Sequence, residues 1–329
     1  MTKPILLTLC IATLLSACKH DATGDLSIND GRMLQHIASD ARLDTLSNGY
    51  KWSEGPVWLD DQQMLLWSDV PDNAIYQWTE AEGTKTYLRP SGYLGQDGRE
   101  GSNGLIINAD GDLVLCQHGE RILAKMATPV DQPRPRFTPI ATNYGGRKLN
   151  SPNDVVQASN GTYFFTDPPY GLPQQDDDPA KELSFEGIYR THVDRTEYIY
   201  LLDSSLTRPN GLAFSPDEKY LYVANSDPKR AIWMQYEMSD NLEKIVSKKV
   251  FFDATSMVGD KKGLPDGLKV TKDGTIFATG PGGVLVFDPD GTHLGTIETG
   301  QATANCAFNA DESKLYMTAH SYIFSIDLL

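Results

Sequence analysis

Positive charge is scarce in this 329-residue chain: 29 lysines and arginines stand against 44 aspartates and glutamates, for a formal net charge of −15. Nucleic-acid binding needs a basic footprint on the phosphates, so that class of function is excluded. The acidity also gives no attraction to an anionic membrane surface. Histidine (6) and cysteine (4) are sparse, and no CxxC or Cys/His cluster occurs, which argues against a zinc site. Cys116 and Cys306 sit in apolar, strand-like runs and read as buried thiols, since two cysteines alone do not specify a disulfide. Long apolar runs are missing as well. Ile5 to Leu15 is too short to cross a bilayer as a helix.

That run has another reading. Lys3 precedes it and Leu15-Ser16-Ala17-Cys18 follows it, which is the layout of an export signal with small residues before the cut. The quartet resembles a bacterial lipobox. The resemblance implies that residues 1–17 are a lipoprotein signal peptide and that Cys18 becomes acylated, each buried CH2 adding about 0.8 kcal/mol to the anchor. An ordinary signal peptide cut nearby is the alternative. The expected product is exported and lipid-anchored at Cys18 on the periplasmic side of the envelope, with no other membrane contact. Residues 18–45 are expected to be a polar tether, with one short helix between Asp21 and about Ser39, and residues 46–329 the folded domain.

Glycine (28) and proline (19) are plentiful, which favours many short elements joined by turns. The chain repeats itself. Polar signatures beginning at Ser53, Ser102, Ser151, Arg208, Leu264 and Ala304 each lead to an apolar strand, a turn and a second apolar strand. Asp110-Gly111, Asn160-Gly161 and Asp273-Gly274 are hairpin signals because their residues accept positive φ. Successive signatures lie about 40 to 57 residues apart, close to blade periods. The expected fold is all-β, a six-bladed β-propeller.

Equivalent residues of radially repeated blades lie on a ring, and the first strand of each blade lines the axis. Glu54, Asn103, Asn153, Asn210, Asp266 and Asn305 are therefore expected to converge there. Two carboxylates and several amides facing one point are hard to leave unpaired, and a hard cation resolves this. Ca2+ accepts carboxylate, amide and water oxygens in flexible geometry. The absence of thiolate and paired imidazole disfavours zinc and copper. A wide, rigid ring suits the short octahedral distances of Mg2+ less well. Zn2+, Mn2+ and Mg2+ stay open as ions able to support activity.

Several motifs occur in order: Glu54-Gly55-Pro56-Val57-Trp58, Asn150-Ser151-Pro152-Asn153-Asp154, Thr166-Asp167-Pro168-Pro169-Tyr170-Gly171, Arg208-Pro209-Asn210-Gly211-Leu212 and Pro265-Asp266-Gly267. Together they resemble the SMP-30/gluconolactonase/regucalcin family, with the bacterial gluconolactonase branch nearest. The resemblance runs from about Leu46 to the C-terminus. It implies a six-bladed propeller with one catalytic divalent ion, usually Ca2+, held by Glu54, Asn153, Asn210 and Asp266. It also implies that Asp266 serves as base or proton shuttle. The insert Leu172 to Phe185 departs from the family pattern and leaves the substrate open.

The expected reaction is hydrolysis of a sugar lactone, with the ion polarising the carbonyl and Asp266, or Glu54, taking the proton of the attacking water. Asn103 and Asn153 are candidates to orient the substrate. His118, at the end of a strand, is read either as a histidine held by a local partner or as a candidate to bind a substrate hydroxyl. Arg121 is read as an anchor for the acid product or a surface ion-pair partner, Tyr170 as the edge of a lid, and Trp52, Trp58 and Trp67 as packing between blades. Three alternatives remain: an aryl-ester or phosphotriester hydrolase on the same metal site, a non-catalytic calcium- or sugar-binding propeller, and a scaffold for protein partners.

Overall fold

Each repeat folds as its turn chemistry directs. The hairpin joining the first two strands of a repeat needs one residue at positive φ. Gly111, Gly161 and Gly274 supply it in the second, third and fifth repeats, and Gln63, Glu218 and Glu312 in the others. The computed structural model describes residues 25–192 and 198–329. It forms six antiparallel sheets of four or five strands, plus a small hairpin at Asn143–Tyr144 and Arg147–Lys148. Blade 1 runs from Ser53–Leu59 to Gly83–Leu88, blade 2 from Ser102–Ile107 to Phe137–Ala141, and blade 3 from Val155–Gln157 to Ile199–Asp203. Blade 4 runs from Pro209–Phe214 to Ile245–Asp253, blade 5 from Leu268–Val270 to His293–Glu298, and blade 6 from Thr303–Phe308 to Tyr322–Asp327. The first strand of every blade touches the first strand of the next, and blade 6 touches blade 1, so the ring closes. This is the six-bladed propeller expected from the repeats.

The core is distributed rather than central. A separate apolar cluster fills each seam, for example Leu66, Leu88 and Leu115 between blades 1 and 2, and Phe164, Leu212 and Tyr236 between blades 3 and 4. Trp58 stacks on Tyr316 across the seam of blades 1 and 6, with ring centroids 5.1 Å apart. Cys116 and Cys306 are buried free thiols in two different seams.

Hydroxyl groups on second strands tie the blades together near the axis. Ser68 donates to the carbonyl of Asn103 (2.8 Å), Thr166 to that of Asn210 (2.7 Å), and Thr279 to that of Ala304 (2.8 Å). Each bond fixes the backbone of a neighbouring blade at or beside its signature residue, so the first strands enter the axis at a set depth.

The segment expected to be a tether differs from that expectation. Asp44–Asn48 is the outer strand of blade 6, which joins the two ends of the propeller. Asp25–Ile28 adds a fifth strand to blade 5. The following turn of 3-10 helix, Gly31–Gln35, starts at Asp30, whose side chain accepts from the Arg32 amide. Met33 and Ile37 are fully buried in the seam of blades 5 and 6. The physical reason is the open edge of blade 5, which leaves backbone groups unpaired unless another strand covers them. Met33→Ala is therefore expected to destabilise the protein by about 2–5 kcal/mol, measured by denaturant unfolding; a solvated tether would give no change. Residues 1–24, including the signal segment, Cys10 and Cys18, lie outside the described residues. Among the described residues no helix is long and apolar enough to cross a membrane.

Candidate active site

The axis opens at one end into a cavity of about 610 Å³. Its walls include Glu54, Asn103, Asn153, Asn210 and Asp266, five of the six residues expected to converge. Apolar groups line it too, with Trp52, Val70, Pro71, Pro228, Val258 and Leu264. Trp52 faces the cavity and also packs edge-on against His320 of blade 6, ring centroids 5.5 Å apart, and its indole N–H points at Glu54 Oε1 (3.4 Å).

Two acids on this floor are held far from their ordinary state. Glu54 is 3% exposed. Burial, then the charge of Asp154, push its carboxyl up to about 7, although the amide of Gly55 donates to Oε2 (3.1 Å). Asp266 is half-buried as a residue, but its Oδ1 is sealed from solvent and meets no donor among the described residues. Burial and the charges of Glu54 and Asp154 push its carboxyl well above the usual carboxylate range. Two partly desolvated acids that repel each other are costly without a counter-charge.

The amides beside them expose oxygen. Asn210 Nδ2 donates to Ser226 Oγ (2.9 Å), and its Oδ1 has no partner among the described residues. Asn103 Nδ2 lies 3.3 Å from His118 Nε2, which leaves Asn103 Oδ1 free in the same way. The Asn153 backbone N–H is bound to the carbonyl of Thr166 (2.9 Å), and its side chain lines the cavity with no hydrogen-bond partner among the described residues. Tyr170 also lines the cavity; burial, then the charge of Asp266, raise its phenol above the ordinary range. Its loop is pinned where Gly171 N–H donates to Ser151 Oγ (2.9 Å). Gln175, in the insert, reaches the cavity too, whereas Asp176 and Asp177 face solvent.

Asn305, the sixth expected residue, also converges on the axis, beside the Glu54 carboxyl, but does not line the cavity. It is buried, and its Nδ2 points to Asp154 Oδ2 (3.4 Å). Gly267 of blade 5 has no side chain, and a Cβ there would lie 2.0 Å from Asn305 Cγ, so the amide of Asn305 occupies the space that glycine leaves. Asp154 is the residue that sequence reasoning missed. It is 3% exposed and its carboxyl is raised by burial, with Lys269 opposing that effect. The signal was available: at the position after the ring residue, blades 1, 2, 4 and 5 carry glycine and blade 3 alone carries a charge. Arg121 does not line the cavity, and among the described residues no acid forms an ion pair with it. It is buried, and it donates to the carbonyls of Leu149 (2.7 Å) and Ala180 (2.7 Å), bracing the insert.

His118 is 2% exposed and lines the cavity, but both ring nitrogens are engaged: Nδ1 lies 3.0 Å from Glu100 Oε2, and Nε2 faces Asn103. It has no free nitrogen for a substrate hydroxyl. Among the described residues no cluster of three or more His, Cys, Asp or Glu side chains could hold a metal ion. The oxygen set here is of another kind, with two carboxylates supplemented by amide oxygens.

Family comparison agrees with this architecture. The SMP-30/Gluconolactonase/LRE-like region matches residues 52–321. The chain belongs to this family. It is 37% identical over 290 residues to a gluconolactonase of Zymomonas mobilis, covering 84% of this chain and 78% of the relative. Among solved structures, a gluconolactonase of Xanthomonas campestris superposes with a TM-score of 0.81 at 31% identity, covering 94% of this chain and 96% of that one. A calcium-binding protein, regucalcin, of Agrobacterium tumefaciens shares the fold, with a TM-score of 0.67, 19% identity, and coverage of 86% and 93%.

Proposed function

We propose that this family member is a hydrolase that opens sugar lactones on the cavity floor, with a divalent cation, Ca2+ foremost, held by Glu54, Asn153, Asn210 and Asp266. The reaction class rests on family membership and on similarity to gluconolactonases. The single observation that carries the site is Asp266 Oδ1, a sealed carboxylate oxygen without a donor that shares the cavity with Glu54 and with the outward-turned oxygen of Asn210. An all-oxygen set with two carboxylates fits Ca2+ chemistry.

A cation bound there supplies Lewis-acid polarisation of the ester carbonyl. The chain's own residues do the rest. Asp266 takes the proton of the attacking water, with Glu54 as the second acid able to do so. The water oxygen bonds to the carbonyl carbon, the ring C–O bond breaks, and the ring oxygen leaves as a hydroxyl that recovers the proton. Asn103 and Asn153 offer polar groups to the sugar hydroxyls, and the apolar groups of the wall exclude water. Outside the membrane question, the same reading takes the protein to be exported and anchored at Cys18.

The test is acid release from glucono-, galactono- and xylonolactone by the purified protein, with EDTA and then with Ca2+ restored. Turnover well above spontaneous opening, lost in EDTA and regained with Ca2+, is the expected result. A folded, Ca2+-binding protein that opens no lactone would turn the assignment to aryl esters or phosphotriesters, which the apolar groups would also admit, or to a binding role.

A further inference from the structure

Glu100, His118 and Asn103 form a chain of side chains along one wall of the cavity. Glu100 lies just before the first strand of blade 2, Asn103 within that strand, and His118 just after the second strand, Leu113–Gln117. The His118 backbone N–H donates to the carbonyl of Gly101 (3.0 Å), which holds the ring beside both partners. Glu100 stands at the mouth, with its side chain 38% exposed, while His118 and Asn103 are buried.

The hydrogen-bond roles follow from donor and acceptor chemistry. An ionised carboxylate only accepts, so the ring proton belongs on Nδ1, facing Glu100 Oε2 at 3.0 Å. In the neutral ring Nε2 is then a lone-pair acceptor. The group 3.3 Å from it is the Asn103 amide nitrogen, which donates. With its NH2 turned back to the histidine, Asn103 presents only its carbonyl oxygen to the cavity.

We propose that Glu100 and His118 are positioning residues that fix the amide of Asn103 as a hydrogen-bond acceptor, so that the site selects lactones bearing a hydroxyl donor on the ring. The proposal rests on the lactone reading above and deepens it. A site built to bond a hydroxyl rejects the analogue that lacks it, because its own buried polar group is then left unpaired. The recognised substrate is thus a polyhydroxylated lactone, and an unsubstituted lactone of the same ring size is discriminated against at Asn103.

The test has two readouts. The first is kcat and KM for δ-gluconolactone and for unsubstituted δ-valerolactone. Glu100→Ala is expected to raise the gluconolactone KM about five- to tenfold while kcat moves less than about twofold, and to shrink the preference over valerolactone by about the same factor. Glu100→Gln keeps an oxygen acceptor for Nδ1–H and is expected to restore most of the preference. His118→Phe, which fills the space without nitrogens, is expected to lose it. An unchanged preference in both Glu100→Ala and His118→Phe would overturn the proposal. The second readout does not require activity. In protein labelled with 15N-histidine, the His118 ring is expected to carry its proton on Nδ1 with Nε2 bare, and to lose that single form in Glu100→Ala. A proton on Nε2 in the wild-type protein would overturn the proposal. If the wild-type protein opens no lactone, the lactone reading fails and this ring signature alone decides the side-chain chain.

Discussion

Asp266→Asn is expected to lower kcat/KM for lactone opening by about a thousandfold and, at the same time, to raise the thermal stability of the metal-free protein. The two effects have one cause. Asp266 Oδ1 is sealed without a donor, and its carboxyl is pushed up by burial and by the charges of Glu54 and Asp154. Replacing it with an amide of the same shape removes the repulsion, a gain of about 1 kcal/mol or more. The amide cannot accept the proton of the attacking water, and loss of a general base alone is worth on the order of 10²–10⁴-fold. It also removes one of two carboxylates from the cation site. Steady-state kinetics and melting curves in EDTA check both halves. Near wild-type turnover would remove Asp266 from the chemistry. Lost activity together with lost stability would make it a structural residue instead.

The fold was legible because its signals are redundant: six turns, six signatures and alternating apolar strands agree with one another. The ring residues were legible for the same reason, since a repeat carries its geometry from blade to blade. What escaped was whatever breaks the repeat. At the position after the ring residue, Gly55, Gly104 and Gly211 are forced by close approach: a Cβ would lie 2.2 Å from Asn103 O, 2.7 Å from Asn153 O and 2.4 Å from Asp266 O. Asp154 at the equivalent place is not singled out by the repeat, yet a carboxylate among glycines signals a buried polar contact behind the cavity lining. Asn305 reaches the axis as expected, but its amide takes the space beside Gly267 and points to Asp154 rather than into the cavity. The short helix Gly31–Gln35 was expected, but its docking and the strand Asp25–Ile28 escaped because the segment's core contribution is Met33 and Ile37, too few residues to show a period. His118 was expected at the cavity, with a local partner as one of its two readings, but no spacing along the chain reveals that Glu100 and Asn103 are those partners.

The raised acids also predict how pH and Ca2+ should trade against each other. In the metal-free protein Glu54 sits at about 7 against an ordinary 4.5, raised by burial and then by Asp154, and Asp266 is raised in the same direction. A carboxyl whose folded-state value is raised favours the fold while protonated. Its contribution is complete below the unfolded value and is lost as pH rises through the folded one. Stability in EDTA should therefore fall between about pH 4.5 and pH 7, Glu54 alone accounting for about 3 kcal/mol. Asp167 is also raised to about 7, by burial, but its carboxylate caps the amides of Asn150 and Ser151 away from the cavity wall. It adds to the fall without belonging to the cation site. On the proposed cation site Ca2+ would compete with protons for Glu54 and Asp266, so it should restore little at pH 5 and much at pH 7.5. At a hundredfold excess over Kd the gain is about 2.7 kcal/mol, or roughly 5–10 °C in Tm for a domain somewhat smaller than this one. Asp266→Asn should reduce both the fall in EDTA and the Ca2+ gain, whereas removal of the Asp167 charge should reduce only the fall. A Ca2+ shift of equal size at pH 5 and pH 7.5 would mean that the ion is held by groups that do not titrate in this range, and Glu54 and Asp266 would cease to be its ligands.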